Sequence, residues 1–547
     1  MSTSANNLHA SEAAPANGLW TRVVNSIRRR LLRYPEDSRV MLLRDAIDTA
    51  GMRAPQGDAP LIVVQCLEDP LYFALMSAIC AQLRKLRGVR IKLVVVRSIS
   101  STVGTGFTRR LVRSGWIGRT VSNQWIRAFG DIVQGVGYRS QGLAHPVADA
   151  LDWLRSWPLW WRARRGADFE KLAIDGVQVG DLIIDSYLRF RPAPRFDAGS
   201  QFARYVIWQA CRDVRRARRY FRMHRPTMYL TSYTTYIEHG VVARVALLEG
   251  ARVWSFGNFI RFGKQLSTAD WFHTPNTDDY RLRFDALDRQ AERLAQAEQQ
   301  LRVRLGGGID AATSYMRVSA YAGTTAPLPD LRSAVVVFLH DFYDSPHVYD
   351  QLVFPDFWTW ACFTIDTLRA AGVRFAVKPH PNQVALSGDA TQRLLARYPE
   401  LIVLPTQASN VQLVEAGIAA GVTVYGTVCH ELAYLGVPTI ACARHPHHSF
   451  AFTRTARSVE EYAQYLRTAH ELPLDREEMR RQALVFYYMH NLSADATSAA
   501  LREQFIAFWR SCAGSEVAPG TLLARFAELR EGPQFREFVA GLAAQLP

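Results

Sequence analysis

The chain has 547 residues, enough for two to four domains at about 100–200 residues per domain. Hydrophobic residues make up 48% and charged residues 21%, a composition that excludes wholesale disorder. The 65 basic residues exceed the 50 acidic ones, giving a formal net charge of +15. That excess excludes a neutral surface and favours an anionic partner, such as a nucleic acid, an acidic membrane surface or a phosphorylated substrate.

Cysteine usage and the chain termini narrow the class of protein. Seven cysteines occur without a CxxC pair, which argues against a disulfide framework or a zinc ribbon and favours a reducing compartment. The first 18 residues lack the basic and apolar regions of a secretory signal, so we expect a disordered tail. No window approaches 18 uninterrupted apolar residues. These features predict a cytoplasmic protein and leave peripheral contact with the inner membrane open.

The first half of the chain alternates apolar strand patterns with helical ones. After two arginine-rich helices within residues 19–57, the order strand, helix, strand begins a doubly wound parallel sheet. A second such unit follows, and together they predict a Rossmann-like domain over residues 58–262, which we expect to bind the acceptor. The predicted strands of this domain are Leu61–Gln65, Val89–Val96, Met228–Ser232 and Arg252–Ser255.

Two basic segments interrupt this pattern. In Trp153–Arg165, four tryptophans interleave with four arginines. This combination predicts either a helix that packs its tryptophans into the core or a patch that contacts lipid headgroups. The segment Arg204–Arg222 predicts a helix with a solvated basic face. The excess of positive charge is concentrated before Arg222, in the expected acceptor half.

The second half repeats the α/β pattern more clearly. We expect a helical linker over residues 263–330, containing one long helix at Asp278–Leu305, and a second Rossmann-like domain over residues 331–475. The remaining residues, 476–547, predict helices that wrap back over the first domain. The predicted strands of the second domain are Ala334–Leu339, Arg374–Val377, Leu401–Leu404, Gly421–Val424 and Thr439–Cys442.

The most specific motif lies between the last two of these strands, at Tyr425–Pro438. Gly426 permits a tight turn, and Thr427 is expected to cap the following helix, whose free amides attract phosphate. Glu431, one turn into that helix, could accept hydrogen bonds from ribose hydroxyls. A plain crossover helix with good end signals would explain Thr427 but does not require Glu431.

Two further loops follow predicted strands of the second domain, at the sheet edge where open α/β folds bind ligands. Lys378 and His380, in Val377–Asn382, are suited to a phosphate leaving group. His340, Asp341, Asp344 and His347 lie in Phe338–His347. This second cluster could hold a metal, although loops with His and Asp often only cap the next helix.

The first domain should supply the general base of an inverting transferase, which must reach the acceptor hydroxyl. We expect it among Asp181 and Asp185, in Asp175–Arg189, or among Glu238 and His239, after the strand that ends near Ser232. Glu68 and Asp69 are further candidates. Each of these residues could instead serve as a helix cap or a surface acid.

Beyond these features, Tyr425–Pro438 resembles the nucleotide-sugar signature of GT-B glycosyltransferases, including the transferase that adds N-acetylglucosamine in lipid II synthesis. The Lys-x-His-Pro loop resembles that of capsule Kdo transferases and teichoic-acid polymerases. The resemblance implies two Rossmann-like domains facing a cleft, with Glu431 on the donor ribose, Gly426 and Thr427 at the diphosphate, and His380 at the phosphate. It also implies no bound metal and no other cofactor.

We therefore predict a metal-independent glycosyltransferase that moves a sugar from a nucleotide-sugar donor to a lipid-linked or polysaccharide acceptor in bacterial surface polysaccharide synthesis. The donor-binding residues would be His340, Lys378, His380, Gly426, Thr427 and Glu431. A polyol-phosphate polymerase and a sugar-nucleotide epimerase on the same fold are alternatives. A basic nucleic-acid-binding protein is the non-catalytic alternative, but no motif that reads DNA or RNA is visible.

Overall fold

A computed structural model describes residues 38–47, 49, 51–65, 70–95, 129–139, 146–165, 169–191, 194–316, 319, 327–381, 385–472, 475–512 and 518–547. Two sheets of mainly parallel strands, each with helices packed against it, form the two halves of the molecule. The predicted α/β class with two doubly wound sheets is confirmed. The expected N-terminal tail and most of the helices within residues 19–57 lie outside the described residues, as do Glu68 and Asp69.

The first sheet has six strands in the spatial order β3-β2-β1-β6-β7-β8. All neighbours are parallel except β8, which pairs antiparallel with β7. This sheet therefore continues to Leu266, four residues past the domain boundary expected at residue 262. A separate two-stranded hairpin, β4 and β5, precedes the helix of the Asp175–Arg189 motif. The eight strands are β1 Leu61–Gln65, β2 Arg90–Val95, β3 Val136–Arg139, β4 Ala173–Ile174, β5 Val177–Gln178, β6 Met228–Thr231, β7 Arg252–Phe256 and β8 Gly263–Leu266.

Six α-helices of the described chain belong to this half. Strand β1 is buried along its whole length, because helices cover both faces of a parallel sheet. The helices are α1 Ser38–Asp45, α2 Pro70–Arg87, α3 Pro146–Arg164, α4 Gly180–Phe190, α5 Gln201–His224 and α6 Val241–Leu248. Tyr236–Gly240 is a π-helical turn that leads into α6.

Helix α5 corrects one prediction. Part of its predicted basic face is not solvated, because Arg212, Arg215 and Arg216 pair with Asp149, and Arg215 also pairs with Asp152, both on α3. Arg219 and Arg222 are exposed, as predicted. The two aspartates are buried. Much of the basic charge of this helix is therefore neutralised inside the protein, where sequence spacing alone indicated exposure.

The second sheet has five parallel strands in the order β10-β9-β11-β12-β13. The predicted strand Leu401–Leu404 is present only as a parallel bridge of Val403 beside Val377 of β10. The last strand, β13, was not predicted. The five strands are β9 Val335–Phe338, β10 Phe375–Lys378, β11 Ala420–Val422, β12 Thr439–Ala441 and β13 Thr453–Thr455.

The helices that follow β8 connect and cover the two sheets. The predicted helix Asp278–Leu305 is two helices, because the chain turns at Arg289, whose φ is 49°. The helices are α7 Tyr280–Asp285, α8 Gln290–Leu305, α9 Phe357–Ala370, α10 Ala385–Arg397, α11 Asn410–Glu415, α12 Val428–Tyr434, α13 Val459–Arg467, α14 Arg476–Tyr487, α15 Ala496–Cys512, α16 Pro519–Glu531 and α17 Pro533–Ala544.

The C-terminal helices return to the first half, as predicted. Phe505, Phe526 and Val539 join the apolar core that also contains Phe73 and the first sheet. The guanidinium of Arg252 on β7 donates to the backbone oxygen of Gln545. The first half is therefore needed to bury the end of the chain. Among the described helices, none is long and apolar enough to cross a membrane.

Candidate active site between the two sheets

The loop after β9 reaches across to helix α4 of the first half. There, Nδ1 of His347 lies 2.6 Å from Oδ1 of Asp185, and both side chains are buried. The backbone amide of His347 also donates to Asp185 at 3.4 Å. His347, from the His/Asp loop predicted in the second domain, thus contacts Asp185, a candidate for the general base in the first domain.

The electrostatics of this pair are set by burial and by its mutual contact. Burial raises the pKa of Asp185 to about 6, although the imidazole of His347 opposes the shift. Burial lowers the pKa of His347, but Asp185 outweighs it and raises that pKa to about 10. The pair is therefore an ion pair at neutral pH. Within the described chain, Oδ2 of Asp185 has no hydrogen-bond partner, which leaves it able to accept a proton.

Asp181, one turn earlier on α4, has a different environment. Its two oxygens accept from the two Nη atoms of Arg244 at 2.7 and 2.5 Å. Burial raises the pKa of Asp181, but the Arg244 guanidinium outweighs that effect and holds the pKa below its ordinary value. A carboxylate whose two oxygens are both engaged is poorly suited to take a proton from an acceptor. Of the two α4 aspartates, Asp185 is the better candidate for the base.

Glu238 and His239 lie in the π-helical turn after β6. The ring of His239 and the backbone oxygen of Glu238 both contact the side-chain amide of Gln65, the last residue of β1. Burial lowers the pKa of His239 to about 3, so its ring is neutral. Tyr236, which begins this turn, has a φ of 61°, a conformation that non-glycine residues seldom adopt outside constrained sites.

His340 lies where the strand order of the second sheet reverses. There β9 and β11 are neighbours, and the connections that follow them lead to opposite sides of the sheet. Its Nε2 is 2.9 Å from the hydroxyl of Thr423, which follows β11. The imidazole stacks on Phe357 with ring centroids 4.5 Å apart. Burial lowers the pKa of His340 to about 3. The ring is therefore a fixed, neutral group at the point where open sheets bind ligands.

Lys378 and His380 lie at the end of the neighbouring strand, β10. Lys378 is 2% exposed and donates to the backbone oxygen of Thr406 at 3.2 Å. Burial lowers its pKa to about 8, and Glu431 opposes the shift. Burial also lowers the pKa of His380, against the opposing charges of Asp341 and Asp344. Both groups are thus held in a low-dielectric setting, in which a phosphate would be strongly attracted.

Thr427 does not cap helix α12 with its side chain, which corrects that prediction. Its hydroxyl instead accepts from Arg304 of α8 at 3.2 Å. Glu431 is buried, and its carboxylate accepts from Arg304 at 2.6 Å and from Asn410 at 2.5 Å. A ribose hydroxyl would have to share or replace these contacts. Gly426 lies in the turn before α12, where a Cβ would meet the hydroxyl of Thr423 at 3.4 Å and Val428 at 3.5 Å.

Sequence reasoning missed the partners that set the chemistry of these residues. Arg304 lies 127 residues from Glu431, and Arg244 lies 63 residues from Asp181. No local signal in a single sequence could pair residues at these separations. Tyr233 was also missed, and its ring centroid lies 4.4 Å from that of His273 in the same region. Within the described ranges, no three His, Cys, Asp or Glu side chains are placed to hold a metal ion.

The chain matches no protein-family model and no curated protein sequence. Solved structures with a similar arrangement include a UDP-GlcNAc 2-epimerase from Methanocaldococcus jannaschii, at 7% identity and a TM-score of 0.25, covering 76% of this chain and 93% of that one. MurG from Acinetobacter baumannii is 11% identical with a TM-score of 0.23, covering 83% and 99%. The wall teichoic acid polymerase TagF is 10% identical with a TM-score of 0.22, covering 90% and 97%. Scores this low assign the chain neither a family nor an activity.

Proposed function

We propose that the chain is a sugar-nucleotide-dependent glycosyltransferase whose reaction takes place where the two sheets meet. The buried contact between Asp185 and His347 carries this proposal, because it joins an ionisable pair from one half to the ligand-binding edge of the other. In this proposal the nucleotide sugar binds the second half, and the acceptor approaches from the first. A lipid-linked or polysaccharide acceptor of bacterial surface polysaccharide synthesis is the finer form of the proposal.

Each group in the site has a role that follows from its environment. Asp185 would take the proton of the acceptor hydroxyl through Oδ2, because a base is most effective when its pKa lies near the working pH. Lys378 and His380 would stabilise the negative charge that develops on the departing nucleotide phosphate. His340 and Thr423 would border the same ligand. No bound metal is needed for these roles.

Binding of the donor can be tested by thermal shift with CMP-, UDP-, GDP- and CDP-linked compounds. We expect one nucleotide class to raise the melting temperature of the wild-type protein and to lose that effect in His380→Ala. His470→Ala is the matched control, because His470 is exposed and pairs only with its neighbour Glu471 among the described residues. No shift with any of the four nucleotide classes would refute the proposal.

Catalysis requires a separate measurement with the nucleotide that binds. We expect Asp185→Asn to keep the thermal shift and to lower kcat by about 10²–10⁴-fold, the usual contribution of a general base. Asp389→Asn, at an exposed position of α10, should leave kcat unchanged. If the wild-type protein instead inverts the configuration of one carbon of the donor sugar in the absence of any acceptor, the chain is an epimerase. Transfer of a polyol phosphate would identify a polymerase.

A further inference from the structure

Over most of helix α3 the polar side faces the protein and apolar side chains face solvent, while Trp160 and Ala163 near its end are buried. Asp149, Asp152 and Ser156 are at most 2% exposed. A set of apolar side chains on the same helix is exposed: Val147 at 76%, Leu151 at 55%, Leu154 at 57% and Trp161 at 47%. An ordinary surface helix has the opposite arrangement, so this face requires an explanation.

The buried aspartates determine which side of helix α3 faces the protein. Asp149 accepts from Arg212, Arg215 and Arg216 at 2.8–3.2 Å, and Asp152 accepts from Arg215 at 2.6 Å. Turning α3 so that its apolar residues face the core would expose or separate these buried charges, which is costly. The outward position of the apolar residues is therefore imposed by the ion pairs with α5.

The exposed apolar residues form one continuous surface. Positions 147, 151, 154, 158 and 161 repeat at intervals of three and four, so they follow one side of the helix for about 21 Å. Pro158 completes the row and is also exposed. Trp153, at 36% exposure, lies beside the row, where Arg204 covers its ring at 5.4 Å. We call this row the α3 outer face.

Arginines border the α3 outer face. Arg162, Arg164 and Arg165 are exposed at its C-terminal end, where Arg164 lies 4.8 Å over the ring of Trp161. Arg155 is also exposed and pairs with Asp175. Aromatic rings and apolar chains flanked by arginines are the composition of helices that lie in the headgroup region of a bilayer.

We propose that the α3 outer face binds the surface of an anionic phospholipid membrane. Charge complementarity favours this occupant over a second copy of the chain, since a symmetric contact would bring like-charged arginines together. Binding of residues 96–128 to the α3 outer face is disfavoured for the same reason, because that segment carries six arginines and no acidic residue. The proposal concerns binding alone and does not depend on the glycosyltransferase function.

The test is sedimentation of the full-length protein with vesicles, in the absence of any nucleotide. We expect binding to vesicles of 70% phosphatidylcholine and 30% phosphatidylglycerol, with little binding to phosphatidylcholine alone. The double variant Leu151→Glu, Leu154→Glu should lower the affinity at least tenfold. Arg162→Gln should lower it by about fivefold, the effect of one basic residue near an anionic surface.

Leu282→Glu is the matched control, because Leu282 on α7 is 76% exposed and lies outside the α3 outer face. Unchanged melting temperatures would show that the variants are folded. The proposal is overturned if the double variant and the control bind vesicles equally, or if the wild-type protein binds neither vesicle. It is also overturned if the wild-type protein dimerises through this face and shows no lipid binding.

Discussion

The two halves of the molecule bury polar side chains in different ways. The first half buries charges as ion pairs, such as Asp181 with Arg244 and Asp149 with three arginines of α5. The first half also buries the neutral imidazoles of His239 and His273, whereas the second half buries the Glu431–Arg304 ion pair together with a larger set of neutral imidazoles. The members of that set lie at or near the carboxyl ends of the strands of the second sheet and in the helical segment after α14, and are His340, His430, His445, His447 and His490.

Four of these imidazoles, those of His430, His445, His447 and His490, form a cluster around Phe486. The ring centroids of His445 and His447 lie 4.1 Å apart, and that of His430 lies 5.1 Å from Phe486. Both ring nitrogens of His430 and of His447 lack hydrogen-bond partners among the described residues. Burial lowers the pKa of each of these histidines well below its ordinary value.

This difference has a physical consequence for each half. A buried ion pair changes little with pH near neutrality, but loss of one partner leaves an uncompensated charge. A buried neutral imidazole tolerates an apolar replacement, but protonation is costly because the charge has no partner. We therefore expect the first half to be sensitive to substitution and the second to acid.

The largest expected effect is at Asp149. Asp149→Ala leaves Arg212, Arg215 and Arg216 without their shared carboxylate in a buried setting. We expect the free energy of unfolding to fall by about 3–5 kcal/mol, the cost of breaking a buried pair. Urea denaturation measures this value, and Asp389→Ala is the exposed control. A loss of less than about 1 kcal/mol would mean that these arginines are solvated, contrary to their burial.

The imidazole cluster should make the protein acid-sensitive. The folded-state pKa of His447 is depressed, so the unfolded chain binds the proton more readily below pH 6.5. Stability is then constant above that pH and falls as the pH decreases. A histidine that stays unprotonated in the folded protein costs at most about 2 kcal/mol between pH 6.5 and 5, at 1.36 kcal/mol per pH unit.

The variant His447→Leu removes one of the buried histidines that take up a proton when the protein unfolds in acid. We expect it to lose up to about 2 kcal/mol less stability than the wild type between pH 6.5 and 5. Urea denaturation at the two pH values measures the difference, with the exposed His470→Leu as the control. Identical pH slopes for His447→Leu and the wild type would show that His447 is accessible to protons in the folded state.

The smallest effect is expected at Asp213, an exception to the pairing in the first half. Among the described residues neither carboxylate oxygen has a hydrogen-bond partner, and burial raises its pKa to about 7. The folded protein thus keeps a proton that the unfolded chain releases near pH 4, and stability falls as the pH rises between these values. Asp213→Asn should remove this loss, so that its stability relative to the wild type rises by about 1.4 kcal/mol between pH 5 and pH 6. A gain that is equal at pH 5 and pH 8 would contradict the raised pKa.

Much of the fold could be predicted from the sequence, because apolar runs of strand length alternate with helical patterns. The buried strand Leu61–Gln65 matches its prediction residue for residue. Ser458, a residue type that favours the N-cap position, caps α13, since its hydroxyl accepts from the amide of Glu461. Where the pattern was ambiguous, the prediction failed: the charged segment Asp278–Leu305 breaks into two helices at Arg289.

The candidate site was only partly predictable. Strand ends indicated Lys378, His380 and His340, since parallel strands direct their carboxyl ends to one edge. The contact of Asp185 with His347 joins residues 162 positions apart, and nothing in the local sequence distinguishes Asp185 from Asp181. Burial raises the pKa of Asp185 against the effect of His347, whereas Arg244 holds the pKa of Asp181 below its ordinary value.

The sequence by itself determined the two α/β halves and the excess of basic charge, because hydrophobic periodicity and composition are local properties of the chain. Only the tertiary structure decided which charges are neutralised and which surfaces remain apolar. Three arginines of α5 pair with buried aspartates of α3, and the apolar row of α3 faces outward as a result. A charge depends on its nearest partner in space, and that partner is chosen by packing over distances that sequence spacing does not record.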